Sequence, residues 1–453
     1  MMSLKITYYG DDFTGASAVM EVLSFAGIPT MLFMDVPDES VLAAFPDIQA
    51  FGVAGVARSK GPGWMQANLP SMFSALHQFG APILHYKTCS TFDSAPHIGS
   101  IGKATELGHS VREGEWIPLV VGAPEMGRYQ AFGNLFAVTD DKIYRLDRHP
   151  VMSRHPVTPM EEADLGRHLS AQTDLPVGVV SLADMHAGKS EQALLREMKT
   201  GAKIVALDVV DDSTLAEAGR LVWRDGETPV FAIGSQGIEY ALVAHWIRQG
   251  QLSATPDIPL LKPVNQIFVV SASVSPTTAK QIAYAEEQGF VYISFSANSA
   301  ADPDQLLAER QRVLAASLLA LSNGQDVIVA SARGPDDAAV DAMMHAAKTL
   351  GVPLNIARDR LGAALGDLVA DIRQETGLPR IVIAGGDTSG HALTALGAEA
   401  LSAIAPLAHG CPLCRVHTRA NPKIDGLEVA LKGGQIGATD FFVQTKNGYS
   451  KWN

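Results

Sequence analysis

The apolar positions of this chain arrive in short runs. Each run is followed by a turn rich in glycine or hydroxyl residues, and then by a stretch with apolar residues three and four apart. Leu4–Tyr9 is the first run and reads as a strand. Gly10-Asp11-Asp12-Phe13-Thr14 follow, after which Ala16, Val19, Met20, Leu23 and Ala26 share one helical face. Gly27 suits the position just past a helix end, Pro29 blocks continuation, and Thr30–Met34 resumes a strand. Strand, loop, helix and strand in that order build a parallel sheet. The pattern recurs, with strands predicted at Ile117–Val121, Val177–Ser181, Lys203–Val209 and Pro229–Ile233. The last of these runs into Gly234-Ser235-Gln236-Gly237 and a helical stretch over Tyr240–Arg248. Gly250–Gln266 then holds three prolines and little periodicity, so a linker is placed there, between domains at 1–255 and 256–453. Beyond it come predicted strands at Ile267–Ser271, Phe290–Ser294, Asp326–Ser331 and Arg380–Ala384, with long helical patterns between them. The fold class is α/β: two domains, each on a largely parallel sheet flanked by helices. No internal repeat stands out.

Composition narrows the partners. Of 453 residues, 47% are apolar and 18% charged, which fits large buried cores. Thirty-five basic against 48 acidic residues leave a net charge of −13, which argues against nucleic acid or an anionic membrane as partner. A small anionic substrate, gripped by a local group of Arg and Lys, remains compatible. Three cysteines suggest a reduced, cytoplasmic setting. Cys411-Pro-Leu-Cys414 has C-x-x-C spacing but no second pair nearby, so it reads as two small apolar residues rather than a redox or zinc site. The first residues, MMSLKITYYGDD, lack a signal-peptide core, and no run of 18 apolar residues predicts a membrane span. His85, His97, His149 and His155 show no metal-ligand spacing, and the metal ligands stay unassigned.

Four segments carry chemistry. Asp11 and Asp12 stand between Gly10 and Gly15 at the carboxyl end of the first strand, where ligands bind in open α/β sheets. One carboxylate can take a proton from a substrate hydroxyl and the other can orient the sugar or help hold a metal; helix capping is the competing role. Gly385-Gly386-Asp387-Thr388-Ser389-Gly390 follows a β-run and opens a helix, a backbone arrangement suited to phosphate. Lys432, Gly434 and Gly437 form a second glycine-rich turn, with Lys432 as a point charge for phosphates. Ser273 and Ser275 lie between a strand and Pro276, where their hydroxyls can meet phosphate or ribose. Neither a Walker A loop nor a G-x-G-x-x-G fingerprint is present. Lys87, Arg128, Arg148 and Arg154 are candidate anion contacts, Arg being suited to carboxylates.

Taken together these segments resemble the four-carbon acid sugar kinase family across essentially the whole chain. The marks are D-D-F-T-G at Asp11 to Gly15, G-G-[DE]-T-S-G at Gly385 to Gly390, and an L-K-x-G-x-x-G-x-x-D-F-F ending matched by Leu431, Lys432, Gly434, Gly437, Asp440, Phe441 and Phe442. The resemblance implies a sugar-acid domain followed by an ATP domain, catalysis in an interdomain cleft, and phosphorylation of a terminal hydroxyl on acids such as 3-oxo-tetronate or threonate, with ATP and Mg²⁺. It implies Asp12 or Asp11 as base, and Asp11, Asp12, Thr14, Lys87, Ser90 and Thr91 as substrate contacts. Ser273, Ser275, Gly385 to Gly390, Lys432, Gly434 and Gly437 fall on the ATP side. One departure stands out. Relatives carry K-x-D-S-T-L-R-G-N where this chain reads Lys87-Thr88-Cys89-Ser90-Thr91-Phe92-Asp93-Ser94, so the Asp and the Arg are lost. Arg128 is the candidate to replace that Arg, and a branched acid such as 3-oxo-isoapionate becomes a possible substrate. A binding protein without turnover, or an NAD(P)-dependent oxidoreductase, are the rival readings; the first needs no acid–base pair and the second lacks its fingerprint. A homodimer is a further expectation.

Overall fold

The computed structural model describes residues 4–139, 141–155 and 157–449. The chain divides into two compact units after Asp257. In the first unit the sheet strands are β1 (Ile6–Gly10), β2 (Thr30–Phe33), β3 (Ala50–Ala54), β4 (Ile83–Lys87) and β5 (Ile117–Val120). A separate antiparallel layer follows, of β6 (Arg128–Ala131), β7 (Asn134–Thr139) and β8 (Lys142–Arg145). The main sheet then continues with β9 (Val177–Val180), β10 (Ile204–Leu207) and β11 (Val230–Gly234). Its order is β2-β3-β1-β4-β11-β5-β10-β9, and the pairings are parallel throughout.

Such a sheet is covered on both faces, which is why its strands are apolar on consecutive residues rather than alternately. Tyr8, Phe51, Phe73, Tyr86 and Phe231 fill the space under the helices and are essentially solvent-free. The helix Phe13–Phe25 follows β1 and buries Ala16, Val19, Met20 and Leu23. The antiparallel layer is tied back to the main sheet by Gln130, whose backbone exchanges hydrogen bonds with Val209 (2.8 Å each), by the Arg128–Ala123 backbone pair, and by one buried carboxylate. Asp208, just past β10, accepts from the backbone N–H groups of Phe132 (2.5 Å), Gly133 (3.0 Å) and Leu182 (3.0 Å).

The second unit contains β12 (Phe268–Ser271), β13 (Val291–Ser294), β14 (Val327–Ala330), β15 (Arg380–Ala384), β16 (Ala400–Ala408), β17 (Cys411–His417) and β18 (Glu428–Lys432). Within this unit the order is β13-β14-β12-β15-β18-β17-β16. The first five strands in that order run parallel, and β17 and β16 turn antiparallel. Ile267, Val269, Ile328, Val382, Leu413, Ala430 and Phe442 belong to its core. The predicted two α/β domains on mostly parallel sheets are thus the observed architecture. Strands β3, β4, β6 to β8, β16 and β17 were not among those predicted. Cys411 and Cys414 are buried thiols of β17. Among the described residues no helix is long and apolar enough to cross a membrane.

Candidate active site

The strand order of the first sheet reverses at β1, which places β3 on one side and β4 on the other. Ligands of open α/β sheets bind outside the carboxyl ends of strands at such a point. Gly10, Ala54, Lys87 and Gly234 stand level there. The chain leaving β1 is held by its neighbours: Asp11 N–H donates to Lys87 O (2.9 Å), and Arg58 N–H donates to Asp11 O (2.9 Å).

The two carboxylates have different surroundings. The Asp11 side chain is 2% exposed and that of Asp12 is 27% exposed. Arg58 joins them, with Nη2 donating to Asp11 Oδ1 (2.6 Å) and to Asp12 Oδ1 (2.8 Å), and Nε donating to Asp11 Oδ2 (3.2 Å). Burial pushes the Asp11 carboxyl up, Arg58 opposes this, and the Asp12 charge reinforces it. Burial works against the Arg58 charge as well, but the two aspartates outweigh it and hold the guanidinium well above its usual range. Asp12 is also the helix N-cap, its Oδ1 accepting from Gly15 N–H at 2.8 Å. The capping role therefore exists, and it uses one oxygen of the two. A Cβ on Gly15 would lie 2.4 Å from Asp12 Oδ1 and 2.8 Å from Lys87 Nζ. Only glycine lets the carboxylate and the buried ammonium come this close to the helix start.

Lys87 Nζ donates to Thr88 O at 2.6 Å. In the segment that follows, Cys89 Sγ lies 3.0 Å from Thr91 Oγ1, and Thr91 Oγ1 donates to Asp93 Oδ1 at 2.5 Å. Burial opposes the Asp93 charge, yet Arg58 and the Cys89 and Thr91 donors hold it below the usual carboxylate range. The Cys89 thiol is pushed up to about 11 by burial and by Asp93, so it stays protonated at neutral pH and is no nucleophile. The Thr14 and Ser90 hydroxyls make no hydrogen bond among the described residues. Arg128 opens β6; its Nη1 donates to Met126 O (3.2 Å) and Gly127 O (3.3 Å), while its Nε is buried without a partner. Burial lowers its pKa, and Cys89 is near enough to offset part of that. Arg148 and Arg154 belong to the short helical turns Leu146–Arg148 and Met152–Arg154.

Sequence reasoning missed Arg58 and the role of Asp93. Arg58 sits past β3, a short strand with a central glycine (AFGVA) that did not register as a strand. The signal that could have found it is positional: a lone basic residue just beyond a β-run, as Asp11 is beyond β1.

In the second unit Ser271, Ala384 and Lys432 end three neighbouring strands at one level. Their continuations converge. Gly385 has φ +127, a conformation that side chains rarely adopt, and it opens the helix Gly386–Ala395. A Cβ on Gly434 would lie 2.9 Å from Ser273 Oγ. Thr278 Oγ1 lies 3.0 Å from Ser273 Oγ and donates to Gly434 O at 3.0 Å. Lys432 Nζ donates to Thr278 Oγ1 (3.0 Å), Gly433 O (3.0 Å) and Gly434 O (3.2 Å), so its donors brace the turn. Burial lowers its pKa to about 8. Gln281 Nε2 holds the next stretch through the carbonyls of Ile436, Gly437 and Ala438. These loops border a cavity of about 570 Å³, a size suited to a nucleotide-sized ligand, lined by Ser273, Ser275, Gly385, Gly386, Thr388 and Gly434 among others. Ser389 turns its hydroxyl to Gly385 O (2.9 Å), and Gly390 lies within the helix. The side chain of Asp387 lies outside the described part of the structure.

The geometry defines a class of protein, with an acidic site on one α/β unit and glycine turns around a cavity on another. A sugar-binding N-terminal domain family matches residues 6–242, and a nucleotide-binding C-terminal domain family matches residues 268–442. The chain is 44% identical to a 3-oxo-isoapionate kinase of Paraburkholderia graminis, over 98% of this chain and 94% of that one. It is 31% identical to a 3-oxo-tetronate kinase of Methylobacterium radiotolerans, over 97% and 98%. A solved structure from Salmonella typhimurium LT2 has the same fold, with a TM-score of 0.78 at 22% identity, covering 98% of both chains. The chain belongs to the four-carbon acid sugar kinase family.

Proposed function

We propose that the protein transfers the γ-phosphate of ATP to a terminal hydroxyl of a small 3-oxo sugar acid, with a branched acid of the 3-oxo-isoapionate kind as the first candidate and 3-oxo-tetronate as the second. The observation that carries this is Asp12. Arg58 and Gly15 N–H fix one of its oxygens, while the other is left to meet a substrate. A carboxylate so held can accept the proton of an attacking hydroxyl. Asp11, buried and paired in two places with Arg58, fixes the guanidinium rather than touching the reacting atoms. Lys87, Thr14 and Ser90 are the surrounding groups for the sugar hydroxyls and its carboxylate. Arg128, with a buried Nε lacking a partner, is the candidate to grip the carboxylate.

The glycine turns and Ser273 of the second unit hold the triphosphate. Phosphoryl transfer rests on positioning and charge neutralisation, and it requires the hydroxyl and the γ-phosphate to be brought in line. Among the described residues no three His, Cys, Asp or Glu side chains converge as a metal cage. Mg²⁺ on an ATP kinase is carried largely by phosphates and water, so it would enter with the nucleotide and neutralise its charge. The setting is the reduced cytoplasm that the cysteine count suggests.

The test is a coupled ADP-release screen over linear and branched four- and five-carbon acids and their 3-oxo forms. Asp12→Asn should lower kcat on the accepted acid by about 10²–10⁴-fold while ADP affinity stays the same. Full turnover in the Asp12→Asn protein would remove Asp12 as the base. Failure of every acid to release ADP would remove the proposed substrate class.

A further inference from the structure

The turn Gly234-Ser235-Gln236-Gly237 links β11 to the helix Gly237–Arg248, and it is fitted closely to the exit of β5. Gly234 has φ +151, and a Cβ there would lie 1.9 Å from Val120 O. Ser235 Oγ donates to Val121 O at 2.8 Å and accepts from Gly237 N–H at 2.9 Å. A Cβ on Gly237 would lie 2.4 Å from Gly122 O, so both ends of the turn need glycine. The turn is also held from β4. His85, solvent-free, donates from Nε2 to Gly234 O at 3.2 Å, and its Nδ1 lies 2.7 Å from Glu239 Oε1.

This frame fixes Gln236, which is 4% exposed and donates from Nε2 to Met126 Sδ at 2.7 Å. A thioether is a weak acceptor, so the contact gives position more than bond strength. Met126 ends the short turn Pro124–Met126, and its carbonyl accepts from Arg128 Nη1 at 3.2 Å, beside Gly127 O at 3.3 Å. The Arg128 backbone is fixed separately, by its two hydrogen bonds with Ala123 (2.9 and 3.1 Å). The direction of the guanidinium is therefore left to the carbonyls of Met126 and Gly127. An unbranched Met side chain has three rotatable bonds and sets no position by itself. We infer that Gln236 is a positioning residue for the substrate: by holding Met126 it fixes the carbonyls that aim Arg128, so the guanidinium meets the carboxylate of the acid in one orientation. The inference rests on the reading of Arg128 as the carboxylate contact. Recognition of a carboxylate by a planar fork depends on its direction, so the contact with Met126 governs the grip on the acid and not the transfer step.

The experiment measures KM for the accepted acid, kcat and ADP affinity in the full chain and in Gln236→Leu, Met126→Leu, the double variant and Arg128→Ala. Gln236→Leu and Met126→Leu should each raise KM for the acid about 5-fold, the scale of one buried hydrogen bond, with kcat and ADP affinity unchanged. Both changes break one contact, so the double variant should be no worse than either single one. A merely structural role would lower kcat and the melting temperature together and would accumulate in the double variant. The parent KM in either single variant, or effects that multiply in the double, overturns the inference. Met126 is half-buried and Met to Leu conserves volume, so Met126→Leu folds and decides the matter if Gln236→Leu does not. Arg128→Ala separates the two readings. If it leaves KM unchanged, the carboxylate assignment is at fault and the inference falls with it; a raised KM in Arg128→Ala beside the parent KM in Met126→Leu overturns the role of Gln236 alone.

Discussion

At the scale of single residues, the first site depends on one arginine serving two aspartates. Arg58 is the only cation in hydrogen-bonding contact with Asp11 among the described residues, and Asp11 is buried. Removing one partner of such a pair strands the other, which costs about 3–5 kcal/mol. Arg58→Ala should therefore lower the urea midpoint sharply, as well as turnover. Arg58→Lys keeps the charge but cannot bridge two carboxylates with a planar fork. It should stay closer to the parent in urea while kcat still drops at least 10-fold, a split that equilibrium unfolding and steady-state assays read separately. The adjacent aspartates were legible in the sequence because packing explains Asp-Asp between glycines poorly. Arg58 was not, since one Arg among many means little until the strand before it is known. The local sequence also could not show that Asp93, four residues after Cys89, returns a carboxylate to a segment whose family pattern has its Asp earlier.

At the scale of elements, the loop after β4 is secured by a short helix, Leu165–Ser170. Its His168 Nε2 lies 2.8 Å from Ser94 Oγ, and Gln172 Nε2 donates to the same oxygen at 2.9 Å. Burial lowers the His168 pKa to about 4, below the ordinary 6.5. Below pH 6.5 the unfolded chain takes up a proton that the folded chain refuses. The histidine's contribution is thus fully present above that pH and is lost as pH falls toward 4, by up to about 3 kcal/mol. The melting temperature should fall over this window, and less steeply in His168→Gln. At the turn after β18, burial lowers the Lys432 pKa in the same sense, to about 8, and a ligand can reverse it. An anion bound nearby favours the ammonium, so ADP binding near pH 8.5 should take up protons and near pH 7 should not. Calorimetry in buffers of different ionisation enthalpy measures this, and Lys432→Met should abolish it. The long apolar runs were readable as buried parallel strands. Strands β3 and β4 were not, because a central Gly in one and His and Lys in the other break the run. The hairpin layer was missed because its exposed residues alternate weakly.

At the scale of the whole molecule, the chain forms two compact units, and each carries one candidate site. Calorimetric unfolding should show two transitions. Saturation with ADP should move one of them, by about 2.7 kcal/mol at a hundredfold excess over Kd, and the sugar acid should move the other. A single ligand shifting both equally would contradict this division. The β6–β8 layer adds a last consequence. It starts at Arg128, whose backbone exchanges hydrogen bonds with Ala123 (2.9 and 3.1 Å), and it is held further along by Gln130 against Val209 and by Phe132–Gly133 against Asp208. A substitution on the outer strands of the layer therefore leaves the Arg128 backbone clamped, so the layer behaves as a bracket and not as a hinge.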